Sequence, residues 1–167
     1  MSIEVILVRH AIAYERNRTR WPDDHTRPLS PEGRKKFREA AAGLTKWLPA
    51  VDCVFTSPLT RTRETAEILE EIGGWPEARD SSDLAPQSSP TAVLAMLRAQ
   101  HAKRIALIGH EPNLSALLSL CVAGSGSRAF TVFKKGGIAC LVFPADISAG
   151  KAMLTAFLPP RALRRMA

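Results

Sequence analysis

Aromatic side chains are scarce in this 167-residue chain, at 6%, with a single tyrosine. A surface for single-stranded nucleic acid interleaves aromatic rings with basic residues. No such interleaving occurs here, so a nucleic-acid partner is not expected. Cysteine is scarcer still. Cys53, Cys121 and Cys140 are odd in number and widely spaced, which argues against a disulfide framework or a zinc site. They lie among apolar neighbours and are expected to be reduced core residues of a cytoplasmic protein. No run reaches the roughly 20 apolar residues of a membrane-spanning helix. The apolar stretch Ile3 to Val8 contains Glu4, ends at Arg9-His10 and has neither a basic lead nor a cleavage site. It is expected to be a strand and not a signal peptide.

Positive charge, by contrast, is in excess, with a formal net charge of +7. Net charge alone locates no site. The length suits one domain spanning residues 1–167 with a real hydrophobic core. Ile3 to Val8 is nearly continuous in apolar residues, as in a strand buried on both faces. Residues 14–28 are polar and read as a loop. Ser30-Pro31 opens a helix, with the serine as cap and the proline in the first turn. Its apolar face carries Phe37, Ala40, Ala41, Leu44, Trp47 and Leu48. Val51 to Thr56 is a second strand. Ser57-Pro58 repeats the helix-start pattern, and Gly73-Gly74 ends that helix. Trp75 to Pro90 reads as irregular and Thr91 to Gln100 as a helix. Arg104 to Gly109 is a third buried strand, followed by a helix from Pro112-Asn113 to Gly124. Two more strands are expected near 138–143 and 153–158, and Arg161 to Arg165 as a solvated tail. Strands alternating with helices predict an α/β fold, a three-layer α/β/α sandwich around one mostly parallel sheet.

Ligands of open α/β sheets bind beyond the carboxyl ends of the strands. Three predicted strands end in polar groups there: Arg9-His10, Thr56-Ser57 with Arg61 one turn on, and Gly109-His110-Glu111. If those strands are neighbours, two histidines and two arginines converge, which suits a phosphate. Guanidinium groups match phosphate oxygens in a bidentate way and stay charged. They also disfavour imidazolium, which keeps a histidine neutral and nucleophilic. A covalent intermediate then splits one hard displacement into two easier ones.

These segments also carry a family resemblance. Leu7-Val8-Arg9-His10-Ala11 resembles the Arg-His-Gly signature of the histidine phosphatase superfamily, with Ala11 in the glycine position. Thr56 to Ala66 resembles its Ser-Pro-x-x-Arg-x-x-x-Thr-Ala segment. Ile108 to Ser115 resembles its second histidine motif, and Arg27-Pro28-Leu29-Ser30-Pro31-Glu32-Gly33 its helix entry. The four motifs occur in family order over about three-quarters of the chain. The short length and the His-x-Pro form of the second histidine motif resemble the SixA-type phosphohistidine phosphatases. The resemblance implies that His10 is the phosphorylated nucleophile and that Arg9, Arg61 and His110 bind the phosphoryl group. No metal or other cofactor is implied.

For the proton donor, Asp83 is the positional candidate and Glu111 the rival. A phosphohistidine substrate, whose leaving group is an imidazole, has little need of either. The expected partner is a phosphorylated protein, with no membrane involved. The alternative is a small phosphorylated metabolite, for which residues 14–26 would form a modest lid and Arg16, Arg18 and Arg20 would reach a distal anion. A non-catalytic phosphate-binding module is the alternative from another class, and it would not require His10.

Overall fold

The computed structural model describes residues 2–167. Six strands form one sheet: β1 (Ile3–Arg9), β2 (Cys53–Thr56), β3 (Ala78–Asp80), β4 (Arg104–Gly109), β5 (Ile138–Phe143) and β6 (Met153–Leu158). Their order is β3-β2-β4-β1-β5-β6. β1, β2, β3 and β4 pair in parallel, while β5 is antiparallel to both β1 and β6. β1 and β4 at the centre are apolar on both faces, as their sequences require. On one face Leu7, Leu107 and Leu141 pack with α3 (Pro90–Arg98) and α4 (Asn113–Ala123). On the other, Ile6, Val8 and Ile108 pack with α1 (Pro31–Trp47), α2 (Thr60–Gly73) and α5 (Pro160–Arg164). The result is the three-layer sandwich expected. Cys53 and Cys121 are buried, Cys140 is half-buried, and all three are free thiols.

Three local expectations are corrected. The segment Arg161 to Arg165 is not a solvated tail: most of it lies in α5, whose Leu163 is fully buried against α1. Burying one leucine contributes about 1.5–3 kcal/mol, enough to hold a single helical turn too short to show periodicity. The stretch from Trp75 to Pro90 contains β3, a three-residue edge strand with a polar sequence. Helix α2 begins at Thr60 after Leu59, without a side-chain cap. Ser57 does not cap it, because its hydroxyl is engaged elsewhere: Oγ lies 2.8 Å from His110 Nε2.

Candidate active site

Because β2, β4 and β1 are adjacent, their carboxyl ends lie side by side. The ladder continues past the strands: Ser57 N–H donates to Ile108 O at 3.0 Å, and His10 N–H donates to Gly109 O at 3.1 Å. This brings the two imidazoles together, with ring centroids 5.2 Å apart. His10 is 7% exposed, His110 4% and Arg61 3%. The other two histidines, His25 and His101, are exposed.

The surroundings set the state of each ring. His10 Nδ1 lies 2.7 Å from Ala11 O. A carbonyl only accepts, so Nδ1 carries the proton and Nε2 keeps its lone pair. Burial pushes the His10 pKa well below its usual value, against the Ala11 bond and with help from His110, Arg61 and Arg9. Burial likewise takes His110 down to about 3, with Arg61 and Arg9 adding to the effect. Both rings are neutral at pH 7. The unfolded chain binds protons near pH 6.5 that the folded chain refuses. Stability is therefore full above pH 6.5 and falls as the pH drops toward 3. The urea midpoint should decline steadily over that window, and less so in His110→Gln; a midpoint that is flat or rises would contradict the buried neutral pair.

Arginines frame the rings. Arg9 Nη1 donates to Phe133 O, and Glu111 lies close enough to attract the Arg9 charge. The Nε groups of Arg9 and Arg61 are buried and make no hydrogen bond within the protein. Unmet buried donors cost about 1–3 kcal/mol each, and an anion would satisfy them. Arg61 Nη1 donates to the carbonyl of Asp24 at 2.9 Å, and its Nη2 is 3.3 Å from Asp24 Oδ2. Arg27, 7% exposed, binds the other oxygen of that carboxylate at 2.8 Å. The bond from Arg27 holds the Asp24 carboxyl below its ordinary pKa, and Arg61 adds to this.

The matched motifs have physical roles. Thr65 Oγ1 accepts from Ala11 N–H at 3.0 Å and donates to Arg61 O at 2.7 Å, tying the histidine loop to α2. At Gly33 a Cβ would stand 1.9 Å from Ile12 O, so only glycine lets α1 approach the strand end. Ala11 substitutes for glycine without strain, since among the described residues no non-glycine has a positive φ. Gly136 does need one: at φ 78° its N–H reaches both Arg9 O and His10 O.

The expected residues Arg9, His10, Arg61 and His110 come together. The others do not join them in the same way. Arg16 is exposed, and its Nε lies 3.8 Å from Asp24. Arg20 stacks over the Tyr14 and Trp21 rings instead of reaching outward. Asp83 sits in a 3-10 turn (Ser82–Leu84) beyond β3 and makes no hydrogen bond or ion pair with the cluster. Glu111 accepts from Ser115 Oγ at 2.6 Å through Oε2, while its Oε1 is buried and unpartnered. The sequence does not single out Arg27, which stands at the head of the matched helix entry. Nor does it single out Lys135. The antiparallel β5 brings its amino end, with the preceding Lys134-Lys135-Gly136-Gly137, to this edge of the sheet. Among the described residues, no group of three or more His, Cys, Asp or Glu is placed to hold a metal ion.

Comparison with known proteins bears on the family and the fold. The model of the histidine phosphatase superfamily (branch 1) matches residues 5–85. An uncharacterized protein of Mycobacterium tuberculosis is 33% identical, over 92% of this chain and 100% of that protein. The solved protein histidine phosphatase SixA, in complex with tungstate, has a TM-score of 0.83 at 23% identity, covering 96% of this chain and 99% of that one. A structure from Nakamurella multipartita, described as a SixA phosphohistidine phosphatase by assignment, gives 0.77 at 26% identity, covering 96% and 97%. A mycobacterial glucosyl-3-phosphoglycerate phosphatase shares the fold, at 0.67 and 16% identity, covering 95% and 100%.

Proposed function

The chain belongs to the histidine phosphatase superfamily, and from that premise we propose that it hydrolyses phosphohistidine in proteins through a phosphorylated His10. The observation that carries this is a pair of buried, neutral imidazoles flanked by Arg9 and Arg61 with unmet donors. His10 Nε2 attacks phosphorus and the substrate P–N bond breaks, the departing imidazole taking a proton from water. Water then attacks the phosphoryl group, the P–Nε2 bond breaks, and inorganic phosphate leaves with His10 restored. Arg9, Arg61 and Arg27 neutralise the equatorial oxygens. His110 turns its Nε2–H from Ser57 Oγ, which holds it in the free chain, to one of them.

No metal is needed in this scheme, because the arginines supply the positive charge. An alkyl phosphate would need an acid, and Asp83 and Glu111 remain the two carboxylates proposed for it. The true acid, changed to its amide, slows alkyl phosphates far more than nitrophenyl phosphate. Equal slowing on both rejects the candidate. The buried free thiols favour a reducing, cytoplasmic compartment.

The second reading, a small-metabolite phosphomonoesterase, draws on the 14–28 segment, which Asp24 fastens over Arg61. Initial rates on a phosphohistidine peptide, nitrophenyl phosphate and a panel of sugar and nucleotide phosphates, all with a chelator, decide between them. The expected result is the highest kcat/KM on the peptide, undiminished by chelation. Faster turnover of a metabolite, or a magnesium requirement, would overturn the proposal.

A further inference from the structure

The chain's positive charge is not spread evenly. One surface hollow, along α2 and β3, is rich in carboxylates, with Glu67, Glu70, Glu77 and Asp80 beside Arg63. A cleft of about 610 Å³ at the catalytic edge is the opposite. Arg9, Lys36, Lys134, Lys135, Arg161 and Arg164 line it, with two prolines and an isoleucine between them, and no carboxylate. Lys36 is paired with Glu32, and Arg164 Nε lies 4.0 Å from Glu39. Among the described residues Lys134, Lys135 and Arg161 have no ion-pair partner, and all three are exposed.

We infer that this cleft docks an acidic segment of the phosphoprotein substrate, alongside the phosphorylated residue. The inference rests on the proposed function and names the kind of partner that reaction would take. Arg9 belongs both to the cleft and to the histidine cluster, so a chain lying in the cleft continues directly from the phosphoryl site. The loop bearing Lys134 and Lys135 is held in place by the bonds from Gly136 N–H to Arg9 O and His10 O. Burial lowers the Lys135 pKa, Arg9, Arg27 and Arg61 add to this, and Glu15 acts against them. A run of cations this dense gains from an anionic partner.

The cations stand on four separate elements, β1, α1, the 133–137 loop and α5. The cleft they line, about 610 Å³, is far larger than a single small anion fills. Apolar stems and prolines between the charges suit an extended peptide. No aromatic ring lines the cleft, which disfavours the base stacking of a single-stranded nucleic acid.

The test uses the full chain and two phosphohistidine peptides, one flanked by Asp and Glu, the other by Ser and Gly. A fluorescent, unphosphorylated Asp/Glu peptide serves as a binding probe read by anisotropy. Wild type should prefer the acidic flanks by on the order of 10-fold in kcat/KM, through KM, with a preference that fades as salt screens the charges. Lys134→Glu with Arg161→Glu should abolish the preference and weaken probe binding by at least ~10-fold. Lys103→Glu, exposed and at the opposite end of the sheet, should change neither. Equal binding of the probe to wild type and the double variant overturns the inference, as does tighter cleft-dependent binding of an oligonucleotide. Turnover of both peptides at equal rates overturns the docking groove and leaves the proposed reaction standing. Probe binding through the cleft without turnover of either peptide does the reverse.

Discussion

His10→Ala should lower turnover of any phosphorylated substrate by on the order of 10⁴-fold or more, the scale seen when a covalent nucleophile is removed. No other group in the cluster can replace it. His110 Nε2 is engaged by Ser57, and the arginines are cations with no lone pair to offer. The folded chain should tolerate the change. The lost ring is neutral, and its one hydrogen bond runs to the adjacent Ala11 carbonyl. His25→Ala, at an exposed position, should leave activity within twofold. Residual turnover in His10→Ala within tenfold of wild type would mean that the nucleophile lies elsewhere.

Arg61→Ala should cost about 10² to 10³ in kcat/KM, equivalent to removing one preorganised donor from a developing charge. The side chain is 3% exposed and carries an unmet buried donor, so water cannot substitute for it. Arg61→Lys should recover only part of the loss, because an ammonium lacks the planar fork. Arg27→Ala should be costly too, since Arg27 stands beside Arg61 on the Asp24 carboxylate. Arg79→Ala, exposed on β3, should behave as wild type. If Arg61→Ala matches Arg79→Ala on a substrate series, the strand ends do not converge on a phosphoryl group.

The core of the site was legible because each residue follows a strongly apolar strand. Val8, Phe55 and Ile108 locate the strand ends unambiguously, and adjacency in a parallel sheet does the rest. The omissions share a cause. Arg27 and Lys135 come from loops, and loop residues reach the site through topology that local pattern does not encode. Expecting a mostly parallel sheet brings the carboxyl ends of strands to the site, and the single antiparallel strand β5 brings an amino end there as well. The Ser57-Pro58 helix start misled for a different reason: a serine with a cap pattern was taken by a functional hydrogen bond to His110. Leu163 was hidden among arginines, and only its packing against α1 reveals it.

The proposed reaction passes through a covalent phosphohistidine on His10 Nε2. Rapid quenching in alkali after mixing the enzyme with a reactive phosphodonor, followed by peptide mass spectrometry and phosphorus NMR, tests it directly. One phosphoryl group per chain, on Nε2 of His10, stable to alkali and lost in acid, is the predicted result. A label on Nδ1, on a serine, or no label during steady turnover would contradict it.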